Sequence, residues 1–184
     1  MKVLVGLLFC AVFSTSVNAQ SVFSKGDNIV NAGLGLGNPH SPKIGDVFLT
    51  NEYKWKIAVP PISASYETCI IDNLFNDKSA IGVGGYLGFA SYKRKITDSR
   101  YTSAIFGVRG AFHYQLVDNL DTYAGVMAGY RIGKYTNSTY KNDPGFASDT
   151  FLGARYYLMD NLGVFAEVGW GGIGYLQLGV TLKF

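Results

Sequence analysis

Five charged residues, Glu67, Arg109, Arg131, Arg155 and Glu167, fall on one parity of stretches whose other parity is apolar. Carboxylates and guanidiniums sharing a face can guide ions along a wet passage, or neutralise one another where water is scarce. Three arginines against two glutamates leave one cation in excess, to be solvated by tyrosine hydroxyls or water. Catalysis finds less support: His113 shares this parity and His40 lies in a polar stretch, and neither has a serine or carboxylate partner at a telling spacing. No metal-ligand cluster or phosphate-binding loop is written in the chain, so no cofactor is expected. A second charged group, Lys93, Arg94, Lys95 and Arg100 with Asp98, is packed into KRKITDSR, and Lys43, Lys54, Lys56 and Trp55 mark an earlier polar stretch. Such cations suit phosphate groups or a surface partner, though a charge run can equally be a solvated loop.

The elements that position these residues are strands. Ala104, Phe106, Val108, Gly110, Phe112, Tyr114 and Leu116 alternate with Ser103, Ile105, Gly107, Arg109, Ala111, His113 and Gln115, a period of two with unlike faces. The same pattern appears around Val30–Leu36, Ile62–Glu67, Ile81–Ala90, Tyr123–Ile132, Phe151–Leu158, Val164–Gly171 and Tyr175–Phe184. That makes eight strands of about ten residues each, near the length that crosses a bilayer at a tilt.

Two apolar residues followed by Asp-Asn-Leu recur three times, at 70–74, 116–120 and 158–162. Asp and Asn bond to nearby backbone, and Asn tolerates a left-handed conformation, so these are read as short turns. The connections between them, 37–61, 91–101 and 133–149, are long and polar. Three short turns on one side and long loops on the other fit eight antiparallel strands with both termini on the turn side.

The chain opens MKVLVGLLFCAVFSTSVNA, a secretory signal peptide with cleavage expected after Ala19. Its apolar core is too short to span a membrane. Cys10 follows Phe9, where a lipoprotein signal wants a small residue, and its removal leaves Cys69 without a disulfide partner. Residues 20–184 form one domain. A net charge of +3 gives no case for nucleic acid. With 23 Gly, 13 Tyr, 12 Phe and only 16% charged residues, part of the surface is expected not to face water.

The last ten residues, YLQLGVTLKF, place Leu176, Leu178, Val180, Leu182 and Phe184 on one face. With the eight alternating stretches, this ending resembles the small eight-stranded outer-membrane β-barrel proteins of Gram-negative bacteria, a group similar to OmpX and the membrane domain of OmpA. The resemblance covers the whole exported chain and rests on pattern. It implies an all-β, antiparallel, up-and-down transmembrane barrel in the cell outer membrane, monomeric, with both termini periplasmic. It also implies that Leu176 to Phe184 are read by the barrel-assembly machinery and that outer-membrane lipid surrounds the chain; the basic residues Lys93, Arg94, Lys95 and Arg100 are then expected to contact lipopolysaccharide phosphates or a surface partner. The last strand should close against Val30–Leu36, because lipid offers no hydrogen bonds to a free edge. Tyr114, Tyr156 and Phe184 should mark one membrane interface, and Tyr130 and Trp170 the other.

The outer-membrane lipid A deacylases carry a His-x-Ser pair; here the corresponding run is His113, Tyr114, Gln115, which lacks the nucleophile. The triplet Asn137, Ser138, Thr139 is treated as a chance match in a bacterial chain. Because eight strands enclose only enough room for side chains, the five inner charges are expected to pair rather than line a broad channel. The expected role is structural or surface interaction through the loops, with a narrow porin-like channel as the alternative. A soluble lipocalin binding an apolar ligand is the other, and it would need a polar exterior.

Overall fold

A computed structural model describes residues 22–37, 56–94, 98–137 and 141–184. The signal sequence, His40, Lys43, Lys54, Trp55, Lys95, Ser138 and Thr139 lie outside the described residues, as does the side chain of Arg94. Eight strands follow in order: β1 Asn28–Leu36, β2 Lys56–Asp72, β3 Ser79–Arg94, β4 Ser99–Val117, β5 Leu120–Thr136, β6 Gly145–Tyr157, β7 Leu162–Trp170 and β8 Leu176–Lys183. Each pairs antiparallel with its neighbours in sequence, and β1 pairs with β8, closing the barrel. The expected fold and closure are found. The seam runs from Leu36 opposite Leu176 to Ile29 opposite Lys183, and Asn28 and Phe184 exchange backbone hydrogen bonds of 2.9 Å beyond it.

The alternating residues sort as their parity requires. Leu34, Leu87, Phe106, Val108, Val126, Leu152, Val168 and Val180 stand exposed on the outside. Outward positions carry no Asp, Glu, Lys or Arg from Ile62 to Thr68 on β2, Ile81 to Phe89 on β3, Ala104 to Leu116 on β4 or Thr122 to Ile132 on β5. On β4 this uncharged stretch spans roughly 30 Å of barrel axis at a tilt of about 40°, enough for an apolar band of about 25 Å. Tyr114, Tyr130, Trp170 and Phe184 are exposed and Tyr156 half-buried; Phe75 and Phe146, which the pattern did not single out, are more exposed than any of these.

Strand length departs from expectation. β2, β3, β4 and β5 have 17, 16, 19 and 17 residues, well beyond ten. The polar stretch 91–101 is mostly ladder: Ser91 pairs with Thr102, Tyr92 with Tyr101 and Arg94 with Ser99, leaving 95–98 as the connection. Tyr92 and Tyr101 are buried inside, and the Tyr101 and Tyr135 rings lie 4.5 Å apart. This packing lets the ladder continue past the apolar band. In β2, Pro60 and Pro61 have no N–H to offer, and the register with β3 shifts between Val59 and Ile62.

All three Asp-Asn-Leu segments sit between strands at the end that carries both described termini. Asp118 and Asn119 alone join β4 to β5, and Asn119 has a φ of 63°. Asn73 likewise has a φ of 54°.

Candidate functional site: the barrel interior and the loop-end rim

Inward positions alternate glycine with large side chains, and the glycines make the room. A Cβ on Gly82 would stand 2.4 Å from the Glu67 carboxylate, and one on Gly153 would stand 2.3 Å from the Tyr123 ring. Into this space β2, β4, β5, β6 and β7 project charged groups. Arg155, fully buried, bonds Glu67 through Nη2 at 2.5 Å and Asp121 through Nη1 at 3.0 Å. His113 lies between the same two carboxylates, with Nε2 2.7 Å from Glu67 and Nδ1 2.9 Å from Asp121. Both ring nitrogens are engaged, an arrangement that a doubly protonated ring satisfies.

A second pair stands beside the first. Arg109 Nη2 donates to Glu167 at 2.7 Å, and the Tyr123 hydroxyl donates to the same oxygen at 3.0 Å. The Tyr123 ring carries the Arg155 guanidinium at 4.3 Å, and Phe151 carries that of Arg109 at 3.9 Å. These contacts join both ion pairs into one layered block. Further towards the loop end, Gln177 donates to the Tyr86 hydroxyl at 3.1 Å and accepts from Ser63.

Four of the five charges singled out in the sequence meet here: Glu67 with Arg155, and Arg109 with Glu167. Arg131 does not join them; it is half-buried and reaches the Gly171 carbonyl at 3.5 Å. The inner charge balance is also corrected. Asp121 and Asp149 are buried on the inward face, so the excess of cations read from three arginines and two glutamates does not hold. Asp121 directly follows an Asp-Asn-Leu turn and Asp149 borders a polar stretch, so each was absorbed into a connection. Extending the parity of Tyr123 and Phe151 by one step finds both.

His113 is the other correction: it has two carboxylate partners where none was expected, because Asp121 projects from the neighbouring β5 and Glu67 reaches it from β2, across the intervening β3. This constellation still lacks what catalysis needs. Both nitrogens are occupied, the Phe23 ring lies 4.5 Å from the imidazole, and the guanidinium of Arg155 fills the place between the carboxylates that a cation would take.

Both mouths are filled as well. At the turn end Phe23, Ile29, Cys69 and Ala80 form a buried cluster, with the Val22 N–H donating to Gln115 at 2.9 Å and Lys183 to the Val22 carbonyl at 3.2 Å. At the loop end, residues 171–175 connect β7 to β8, and Ile173 is fully buried beside Tyr86, Tyr92, Tyr101 and Ile105.

Outside, the rim carries the basic residues. Lys56 is paired with Lys93, and Lys93 with Arg100, so three cations stand abreast on β2, β3 and β4. Lys93 Nζ lies 2.8 Å from Asp98 and holds that exposed carboxyl below its usual pKa.

The closed barrel, its uncharged exterior and its filled polar interior define the fold of small eight-stranded outer-membrane barrels. Solved structures bear this out. Ail, the attachment invasion locus protein of Yersinia pestis, whose crystal structure is in complex with the heparin analogue sucrose octasulfate, aligns with a TM-score of 0.52 at 11% identity, over 88% of this chain and 100% of its own. The outer membrane protein OprG of Pseudomonas aeruginosa aligns with a TM-score of 0.53 at 13% identity, over 91% and 99%. Ail in a phospholipid bilayer nanodisc gives 0.51 at 14% identity, over 87% and 100%. No protein-family model and no curated protein sequence matches the chain.

Proposed function

We propose that the chain is a monomeric outer-membrane barrel of structural or surface-interaction role, non-catalytic, its interior closed to bulk flow. The observation that carries this reading is the pairing of an uncharged outward band with an interior in which Arg155, Glu67, Asp121 and His113, and Arg109 with Glu167, are spent on one another. A soluble lipocalin has the reverse arrangement. On this reading residues 1–19 direct export. The three short turns and both termini face the periplasm, and Leu176, Leu178, Val180, Leu182 and Phe184 serve the barrel-assembly machinery. Leu178, Val180, Leu182 and Phe184 stand exposed on the outer wall, where such a reader has access before closure.

The long strands β2 to β5 then lift a polar collar above the outer leaflet. On this reading Lys93 and Arg100 on that collar, with Arg94 and Lys95 beside them in sequence, meet lipopolysaccharide phosphates; the exposure of Lys93 and Arg100 at the rim supports this. The sulfated sugar in the Ail structure is an instance of polyanion binding by this fold.

Membrane fractionation with gel electrophoresis of heated and unheated samples tests the reading. The protein should pellet with outer membranes, resist carbonate extraction and change mobility on boiling. A chain that stays soluble and monodisperse without detergent overturns it in favour of the lipocalin alternative.

A further inference from the structure

The outward wall of β2 to β5 is not smooth. A hollow of about 630 Å³ opens on it, walled by Tyr66, Leu87, Phe106, Val108 and Tyr130 with Ala64, Gly85 and Ala128 lower between them. A second hollow, of about 300 Å³, adjoins it towards the loop end and shares Ala64, Leu87 and Phe106. Hydrocarbon has to fill such a space in a bilayer, because an empty apolar recess forfeits the dispersion contacts of its walls.

The same strands carry the cationic row above it. Along β3, Lys93 lies four residues beyond Phe89 at the edge of the upper hollow, roughly 13 Å at strand rise, and eight beyond Gly85 in the lower one. Lys56, Lys93 and Arg100 occupy directly opposed positions, an arrangement that is unfavourable unless an anion neutralises it. Among the described residues, Asp98 pairs with Lys93, while Lys56 and Arg100 form no ion pair. Lys134 adds a fourth charge, exposed on the adjoining strand two residues before Thr136, the partner of Arg100.

We infer that this face of the barrel is a binding site for one class of ligand, a phosphorylated lipid with several acyl chains, of the lipid A kind. Its phosphates lie along Lys56, Lys93 and Arg100, and one acyl chain runs down into the two hollows. A soluble polyanion would satisfy the cations and leave the hollows unused; a neutral lipid would do the reverse. Only an amphiphile with a multiply charged head matches both, at the vertical spacing the strands impose. The inference rests on the membrane-spanning reading above and narrows its partner.

Affinity for bis-phosphoryl, hexa-acyl lipid A, measured on the full folded chain in zwitterionic detergent micelles, tests it. Lys56→Gln, Lys93→Gln and Arg100→Gln combined should weaken binding at least about tenfold, since each cation near an anionic lipid head contributes measurably. Gly85→Leu should fill the hollow from within. A Cβ there meets only the Gly107 carbonyl oxygen, at 3.8 Å, so the barrel tolerates it. This variant should lose about fivefold for lipid A, as a displaced stretch of buried methylenes implies, and nothing for the de-acylated sugar bisphosphate.

Heat-modifiable mobility confirms that each variant is folded. Lipid A binding indifferent to either set overturns the inference, as does equal affinity for a phosphocholine lipid. These outcomes differ from failure of the membrane reading, in which the wild-type chain does not enter bilayers at all.

Discussion

Arg155 is fully enclosed, and its ion-pair and ring partners are themselves buried. Its guanidinium bridges Glu67 and Asp121 and lies over Tyr123. Arg155→Met keeps most of the volume but strands two carboxylates beside His113 with one positive partner fewer. We expect a loss of about 3–5 kcal/mol, the cost of breaking a buried pair by removing one member, read from urea unfolding of the refolded protein in detergent. Adding Glu67→Gln to that variant should recover part of the loss; an additive or larger loss would show that the two residues are not coupled. At this scale the sequence was only partly legible. Parity alone placed Glu67, Arg109, Arg155 and Glu167 inside, whereas the role of His113 depended on which inward side chains of β2 and β5 reach it. Asp121 and Asp149 were hidden by their nearness to a turn and to a long polar stretch respectively, though their own parity points inward.

The eight strands and their order were legible because period two persists wherever one side meets lipid and the other a packed interior. Their ends were not. Above the apolar band hydropathy no longer alternates, yet Tyr92, Tyr101 and Tyr135 continue to fill the interior and hold the ladder together, so a stretch of loop composition becomes strand. The turns follow a different rule, local backbone chemistry. Asn119, at a φ of 63° in a two-residue connection, is where that rule is strictest. Asn119→Gly should leave stability unchanged, and Asn119→Val should cost roughly 1–2 kcal/mol, because a β-branched side chain collides with its own backbone in that conformation. Equal midpoints of urea unfolding for the two variants would show that the hairpin adopts another turn at no cost.

Across the whole molecule, a passage through the barrel meets obstruction at successive levels. Phe23 covers His113 at the turn end; the Arg155 and Arg109 blocks follow with Tyr123 between them and Phe151 against Arg109; Ile173 and the tyrosines close the loop end. An eight-stranded barrel has no spare width to route water around side chains of this size. Planar-bilayer recordings of the wild-type chain should therefore show no discrete conductance steps. Phe23→Ala discriminates between a gate and a filled interior: if the N-terminal segment alone closed a pore, its truncation would open one. The layer beneath it is held by ion pairs at 2.5–3.0 Å, so we expect this variant to stay silent too. Ion-selective steps in Phe23→Ala but not in wild type would assign the segment a gating role and make the narrow channel the better account. Steps in both would mean that the charge block opens in the bilayer. Silence in both leaves the outer wall and the collar of β2 to β5 as the surfaces through which the protein acts.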